Sequence, residues 1–130
     1  MAKDVTRRDV VRGLPLYQQG IIPGSDAVKL SSNENPFGPL PSVVEAVTRM
    51  LAGFNRYPSI SAEEVRSAIA EHVGVDMRQV ALGAGSTEVA SQLMHALTST
   101  GDEIIFPWRS FEAYPILTQV AGATPVPVPL

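Results

Sequence analysis

Apolar residues along this chain change their spacing several times, and each change marks an element. From Pro41 onward, Val43, Val44, Val47, Met50 and Leu51 fall three and four apart. That spacing predicts a helix with one buried face, opened by Pro39 and Pro41 and stopped by Gly53. Val65, Ala68, Ile69 and Val73 repeat the pattern as far as Gly74, with Ser61 and Glu64 spaced as a capping box. Val80-Ala-Leu82 is a short apolar run, the end of a buried strand. Gly83 and Gly85 then let the backbone turn tightly. Ser86 stands as the N-cap, and Val89, Leu93 and Leu97 mark one face of the helix beyond it. Glu103-Ile-Ile-Phe106 is a second strand, which Pro107 ends because proline has no N–H for a ladder. A helix follows from near Ser110 or Phe111, with Pro115 in its first turn, Ile116, Leu117 and Val120 as its apolar residues and Gly122 as its stop. Thr124 to Leu130 is a third strand or extended edge, whose prolines argue against a central position. Ahead of all this, Thr6 caps a short helix over Arg7 to Arg12 that Gly13 ends, and Pro15, Gly20, Pro23 and Gly24 keep the next stretch irregular. Strands alternating with helices predict an α/β fold built from parallel crossovers.

Composition narrows the class. The chain has 130 residues, 45% of them hydrophobic and 18% charged, which suits one globular domain with a real core. A net charge of −3 provides no general attraction to nucleic acid or anionic lipid. The absence of cysteine from the sequence excludes disulfides and thiolate metal sites within it and fits a cytoplasmic setting. No apolar run approaches the ~18 residues of a transmembrane helix. Thr6-Arg-Arg-Asp9 has the look of a twin-arginine signal, but Arg12-Gly-Leu-Pro-Leu-Tyr17 follows in place of an apolar region, so the stretch reads as mature sequence. His72 and His95 each stand without a second ligand at metal spacing and read as structural or solvated rather than catalytic.

Three stretches carry candidate chemistry. The run Val80 to Glu88 joins a strand end, a glycine turn and a fresh helix N-terminus. Unpaired N–H groups and the positive end of the helix dipole favour an anion there by roughly 0.3–1 kcal/mol. The same glycines would equally serve to pack helix on strand, and both readings stay open at this point. A dinucleotide site is the weaker reading, because Glu88 stands where the fingerprint's third glycine would be, and Asp102 and Glu103 are poorly placed for a ribose. Asn33, Glu34 and Asn35 crowd hydrogen-bonding groups before Pro36, where a solvated turn is the simplest reading. Asn55-Arg-Tyr-Pro58 is a further extended, proline-set segment.

Leu30-Ser-Ser-Asn-Glu-Asn-Pro-Phe-Gly38, Asn55-Arg-Tyr-Pro58, Gly83-Ala-Gly-Ser-Thr-Glu88, Gly101-Asp-Glu103 and Ala121-Gly-Ala123 occur in that order. With these motifs the chain, from about Leu14 onward, resembles the N-terminal portion of the histidinol-phosphate and aromatic amino acid aminotransferases, pyridoxal-phosphate enzymes of fold type I. The resemblance implies an incomplete α/β fold: residues 1–30 as an N-terminal arm and small-domain segment, and residues 31–130 as the beginning of the pyridoxal-phosphate-binding large domain. It implies that Ala84, Gly85 and Ser86 cradle the cofactor phosphate and that Phe111 stacks on the pyridine ring. Tyr57 matches a tyrosine that reaches the neighbouring subunit's cofactor phosphate in a homodimer. Asn33 and Glu34 match a substrate-side segment, and Tyr17 lies in the arm that helps close the neighbouring active site. The stretch Trp108 to Pro115 looks more like the aromatic branch than the histidinol-phosphate branch.

The family's chemistry uses a lysine that forms a Schiff base with the cofactor. Lys3 and Lys29 are the lysines of this sequence, and neither matches that position. The family's partner for the pyridine nitrogen and its substrate-gripping arginine also lie further along than these residues reach. The expectation is therefore a truncated piece of an aminotransferase acting on an aromatic amino acid and a 2-oxo acid. The alternatives are a piece of a histidinol-phosphate aminotransferase, or a non-catalytic remnant that binds a related subunit. By itself the chain is expected to be inert, to bind pyridoxal phosphate weakly or without specificity, and to engage neither nucleic acid nor membrane.

Overall fold

The computed structural model describes residues 6, 8–15, 24, 26–30 and 32–130. In chain order the elements are α1 (Asp9–Arg12), α2 (Pro41–Met50), α3 (Glu63–Val73), α4 (Ser86–Leu97), β1 (Glu103–Trp108), α5 (Tyr114–Ala121) and β2 (Thr124–Pro129). Single 3-10 turns at Leu51–Gly53 and Met77–Gln79 extend α2 and follow α3. Among the described residues, no helix is long and apolar enough to cross a membrane.

α1 begins later than a Thr6 cap would place it: Arg8 is the N-cap, without a side-chain bond, and Gly13 closes the turn. α2 has Pro41 in its first turn, where a missing N–H costs nothing, and runs on through the 3-10 turn to Gly53. Its apolar face, which the periodicity assigns to the interior, is open: Val43, Val44, Val47, Met50 and Leu51 are 48–67% exposed. Periodicity selects the face to be covered, but the cover has to come from other elements, and the described residues do not supply it.

At α3 the sequence reading of the cap fails by one residue. Ala62, in the left-handed region at φ 45°, is the N-cap, so Ser61 stands outside the helix and pairs its hydroxyl with that of Ser59 at 3.1 Å. Glu64 then falls at the second helical position instead of the third, and the box cannot close. A true capping box forms further on. Asp76 accepts from the Arg78 N–H at 2.8 Å, and the Gln79 side chain accepts from the Asp76 N–H at 3.0 Å. Arg66 fastens α3 to this turn, its guanidinium donating to Met77 O at 2.9 Å and Val80 O at 3.0 Å.

Val80 to Leu82 is extended but forms no strand, contrary to the sequence reading. A strand needs a ladder partner, and the two strands among the described residues pair with each other. β1 and β2 run parallel with α5 as the crossover, in register from Glu103 opposite Thr124 to Trp108 opposite Pro129. β1 continues through Pro107, which the sequence reading makes its end. The parity of the ladder explains why. Thr124 N donates to Asp102 O at 2.8 Å, so Asp102 and the even-numbered residues of both strands point their backbone groups at each other. Pro107 therefore turns its missing N–H to the open side. Pro125, Pro127 and Pro129 of β2 share the opposite parity to Thr124, so all three lack donors on the outer edge, which suits β2 to an edge position.

The core gathers where α5 meets the sheet. Phe106 and Ala123 are buried, as is Thr118, whose hydroxyl has no partner among the described residues. Phe106 meets Tyr114 at 5.8 Å between ring centroids and Trp108 at 6.1 Å. α5 starts at Tyr114, after a turn over Phe111–Ala113, rather than at Ser110 or Phe111. On the other face of β1, Ile105 remains 70% exposed.

Candidate anion-binding site

The structure gives the two glycines of the turn different surroundings. A Cβ on Gly83 would lie 3.1 Å from the Glu88 Cβ, the Val89 Cγ2 and the Val89 N, so Gly83 is a packing glycine that lets the turn press on α4. Gly85 is different. Nothing lies within 4 Å of where its Cβ would be, yet its φ is +81° and ψ 173°, a conformation that side chains strongly disfavour. Open space beside a turn of this shape is room for a ligand.

Gly85, rather than Ser86, is the N-cap of α4; Ser86 is its first residue. The first bond along the helix runs from Val89 N to Gly85 O at 3.4 Å, so the N–H groups of Ser86, Thr87 and Glu88 precede the helical ladder. The other two amides of the turn are engaged: Gly85 N donates to Gly83 O at 2.8 Å, and Ala84 N donates to the Glu88 carboxylate. Ser86 and Thr87 are exposed, and each adds a hydroxyl. The cradle fits a phosphate: backbone donors at a helix N-terminus, hydroxyls beside them, and no side chain at Gly85 to obstruct approach. Sequence reasoning missed Thr87 and the bond made by Glu88. A glutamate three residues after the true N-cap is the signal that would have found the latter.

Phe111 follows the end of β1 as the cradle follows the extended segment Val80 to Leu82. The carboxyl ends of such segments are where open α/β sheets bind ligands. The Phe111 ring stands edge-on to Tyr114 at 5.4 Å and is 38% exposed, which leaves surface for a flat partner. Tyr57 is fully exposed and lines a shallow cleft of about 560 Å³ with Arg49, Phe54 and Arg56, a cleft that includes neither the cradle nor Phe111. Asn33 adopts a left-handed turn conformation at φ 47°, and Glu34 is ion-paired with Lys29. Asn35 Oδ1 accepts from the Phe37 N–H at 3.1 Å, so the stretch is an exposed turn here. Tyr17 lies outside the described residues. His95 is spent locally, its Nδ1 2.8 Å from Ser91 O, and among the described residues no cluster of His, Asp and Glu could hold a metal. Away from the cradle, hydrogen bonds from the Arg78 side chain and N–H hold the Asp76 carboxyl below its ordinary value.

Known proteins give this geometry its context. The family model for aminotransferase class I and II matches residues 25–130. An aromatic amino acid aminotransferase of Cutibacterium acnes is 82% identical over 124 residues, covering 95% of this chain and 35% of that protein. One of Corynebacterium glutamicum is 57% identical over 120 residues, covering 90% of this chain and 34% of that protein. The crystal structure of histidinol-phosphate aminotransferase from Sinorhizobium meliloti, in complex with pyridoxal-5'-phosphate, superimposes with a TM-score of 0.70 at 23% identity. It covers 75% of this chain and 27% of its own, and it shows the shared fold. The chain thus spans about a third of the length of the curated relatives it matches. With the matched family model reaching from the turn before α2 to the end of β2, the chain belongs to the aminotransferase class I and II family.

Proposed function

We propose that this chain supplies the cofactor-phosphate cradle of an aminotransferase that moves an amino group between an aromatic amino acid and a 2-oxo acid. The observation that carries the reading is Gly85, held at φ +81° with open space beside it at the N-terminus of α4, in a member of an aminotransferase family. Pyridoxal phosphate, when bound, supplies the conjugated ring that draws electrons from the substrate's α-carbon. The chain's own residues then do the holding. Ser86 and Thr87 offer amides and hydroxyls to the phosphate, with Gly85 leaving the approach clear. Phe111 gives a flat apolar surface for the ring, as the family resemblance implies. Tyr57, fully exposed, suits contact with the phosphate of a second copy in a homodimer. Asn33 and Glu34 lie on the substrate side, with Glu34 steadied by Lys29. That ion pair also engages the Lys29 amine, and by the family resemblance neither Lys3 nor Lys29 stands at the position of the proton-moving lysine.

The aromatic preference is supported by the names of the relatives at 82% and 57% identity and by the stretch Trp108 to Pro115. Histidinol phosphate has only a fold likeness at 23% identity behind it, which says nothing about substrate. The test is kcat/KM for phenylalanine, tyrosine and histidinol phosphate with a common 2-oxo acid, on the longest protein that carries this chain. Preference for the aromatic amino acids is expected. A preference for histidinol phosphate would reverse the substrate assignment, and no transamination at all would remove the reading.

A further inference from the structure

We propose that Glu88 is the positioning residue of the phosphate cradle: its carboxylate claims the Ala84 N–H and leaves the anion to the Ser86, Thr87 and Glu88 amides. The proposal rests on the phosphate reading above and deepens it. Gly85 caps α4 without a side chain, so the helix start lacks the usual reciprocal bond from its N-cap. Glu88, three residues further on, is where a capping-box glutamate stands. Its carboxylate reaches back past Gly85 to the Ala84 N–H. The same side chain packs beside the turn, where a Cβ on Gly83 would crowd the Glu88 Cβ at 3.1 Å. Glu88 therefore holds Ala84 and borders Gly83, the two residues that precede the N-cap.

The grip decides which donors a ligand can use. With Ala84 N–H held by the carboxylate and Gly85 N–H held by Gly83 O, the anion is left with the Ser86, Thr87 and Glu88 amides and the two hydroxyls. Ala84, which the family resemblance places in the cradle, then shapes it without donating to the phosphate. A carboxylate so near a dianion would repel it if free. Here its charge is met by a hydrogen bond and by the positive end of the α4 dipole. The rival possibility is that the carboxylate merely stands in for phosphate and is displaced when the cofactor arrives. The two ideas predict opposite effects of removing it.

The experiment is a spectroscopic titration of the longest protein carrying this chain, with pyridoxal phosphate and with pyridoxal, for wild type, Glu88→Ala and Glu88→Gln. The ratio of the two affinities isolates what the phosphate contributes. Glu88→Ala should lower that ratio by about tenfold, the scale of one organising hydrogen bond to a charged group, with pyridoxal affinity unchanged. Glu88→Gln keeps an oxygen for the Ala84 N–H and should stay within about threefold of wild type. An unchanged or increased ratio in Glu88→Ala would overturn the proposal, as would equal loss of both ligands or a Gln variant as weak as Ala. A wild-type protein that does not prefer pyridoxal phosphate to pyridoxal would sink the phosphate reading itself, and this inference with it.

Discussion

Gly85 holds the most demanding backbone position of the candidate site. At φ +81° and ψ 173°, any side chain would be strained, although the space beside it is open. Gly85→Val should therefore destabilise the turn by about 1–3 kcal/mol and place a branched side chain where the phosphate approaches. Titration with pyridoxal phosphate is expected to show at least a tenfold loss of affinity. Ser86→Ala should cost less, about 1 kcal/mol or below, because Ser86 is the first helical residue and not the cap, so one hydroxyl contact is lost and no amide. Unchanged affinity in Gly85→Val would return the turn to a packing role. The sequence showed a glycine turn before a helix and left anion binding and packing equally open. Which glycine packs and which stays open was not legible, because that depends on where Glu88 and Val89 fall in three dimensions.

Helices read well from local pattern, and their ends and the strands read less well. The faces of α2 to α5 follow from spacing alone, since each helix closes its own hydrogen bonds. Caps depend on register. A shift of one residue removed the Ser61–Glu64 box, while the Asp76–Gln79 box, equally visible as an aspartate and a glutamine three apart, was passed over. Strands depend on partners, which is why Val80 to Leu82 is extended without being a strand and why Pro107 does not end β1. Arg66 is the element-scale residue that links α3 to the approach to the cradle. Arg66→Ala leaves the Val80 carbonyl without a donor in a partly buried place, and the Met77 carbonyl with the Val80 N–H alone, and should cost about 1–3 kcal/mol. Arg66→Lys should recover only part of that, since one ammonium lacks the fork that spans both carbonyls. Thermal unfolding of the three proteins reads the difference, and an unaffected Arg66→Ala would mean that the turn over Met77–Gln79 is held by its own cap alone.

At the scale of the molecule, the described residues form one βαβ unit with helices before it and much apolar surface uncovered. The open face of α2 and the outward Ile105 of β1 are the clearest cases. In a chain spanning about a third of its relatives' length, those faces are where further elements of the fold would pack. The fold class was legible because alternating elements with short connections leave few topologies. The cover of α2 and the partner of Val80 to Leu82 were not, because they depend on surfaces that these residues do not provide. The most direct measurement of the central claim is a half-reaction. The longest protein carrying this chain is loaded with pyridoxal phosphate, freed of excess cofactor and mixed with phenylalanine in the absence of any 2-oxo acid. Release of one equivalent of phenylpyruvate per bound cofactor, together with loss of the cofactor's aldehyde absorbance, is the predicted result. Bound cofactor that keeps its aldehyde spectrum, with no oxo acid released from phenylalanine or any other amino acid, would contradict the account.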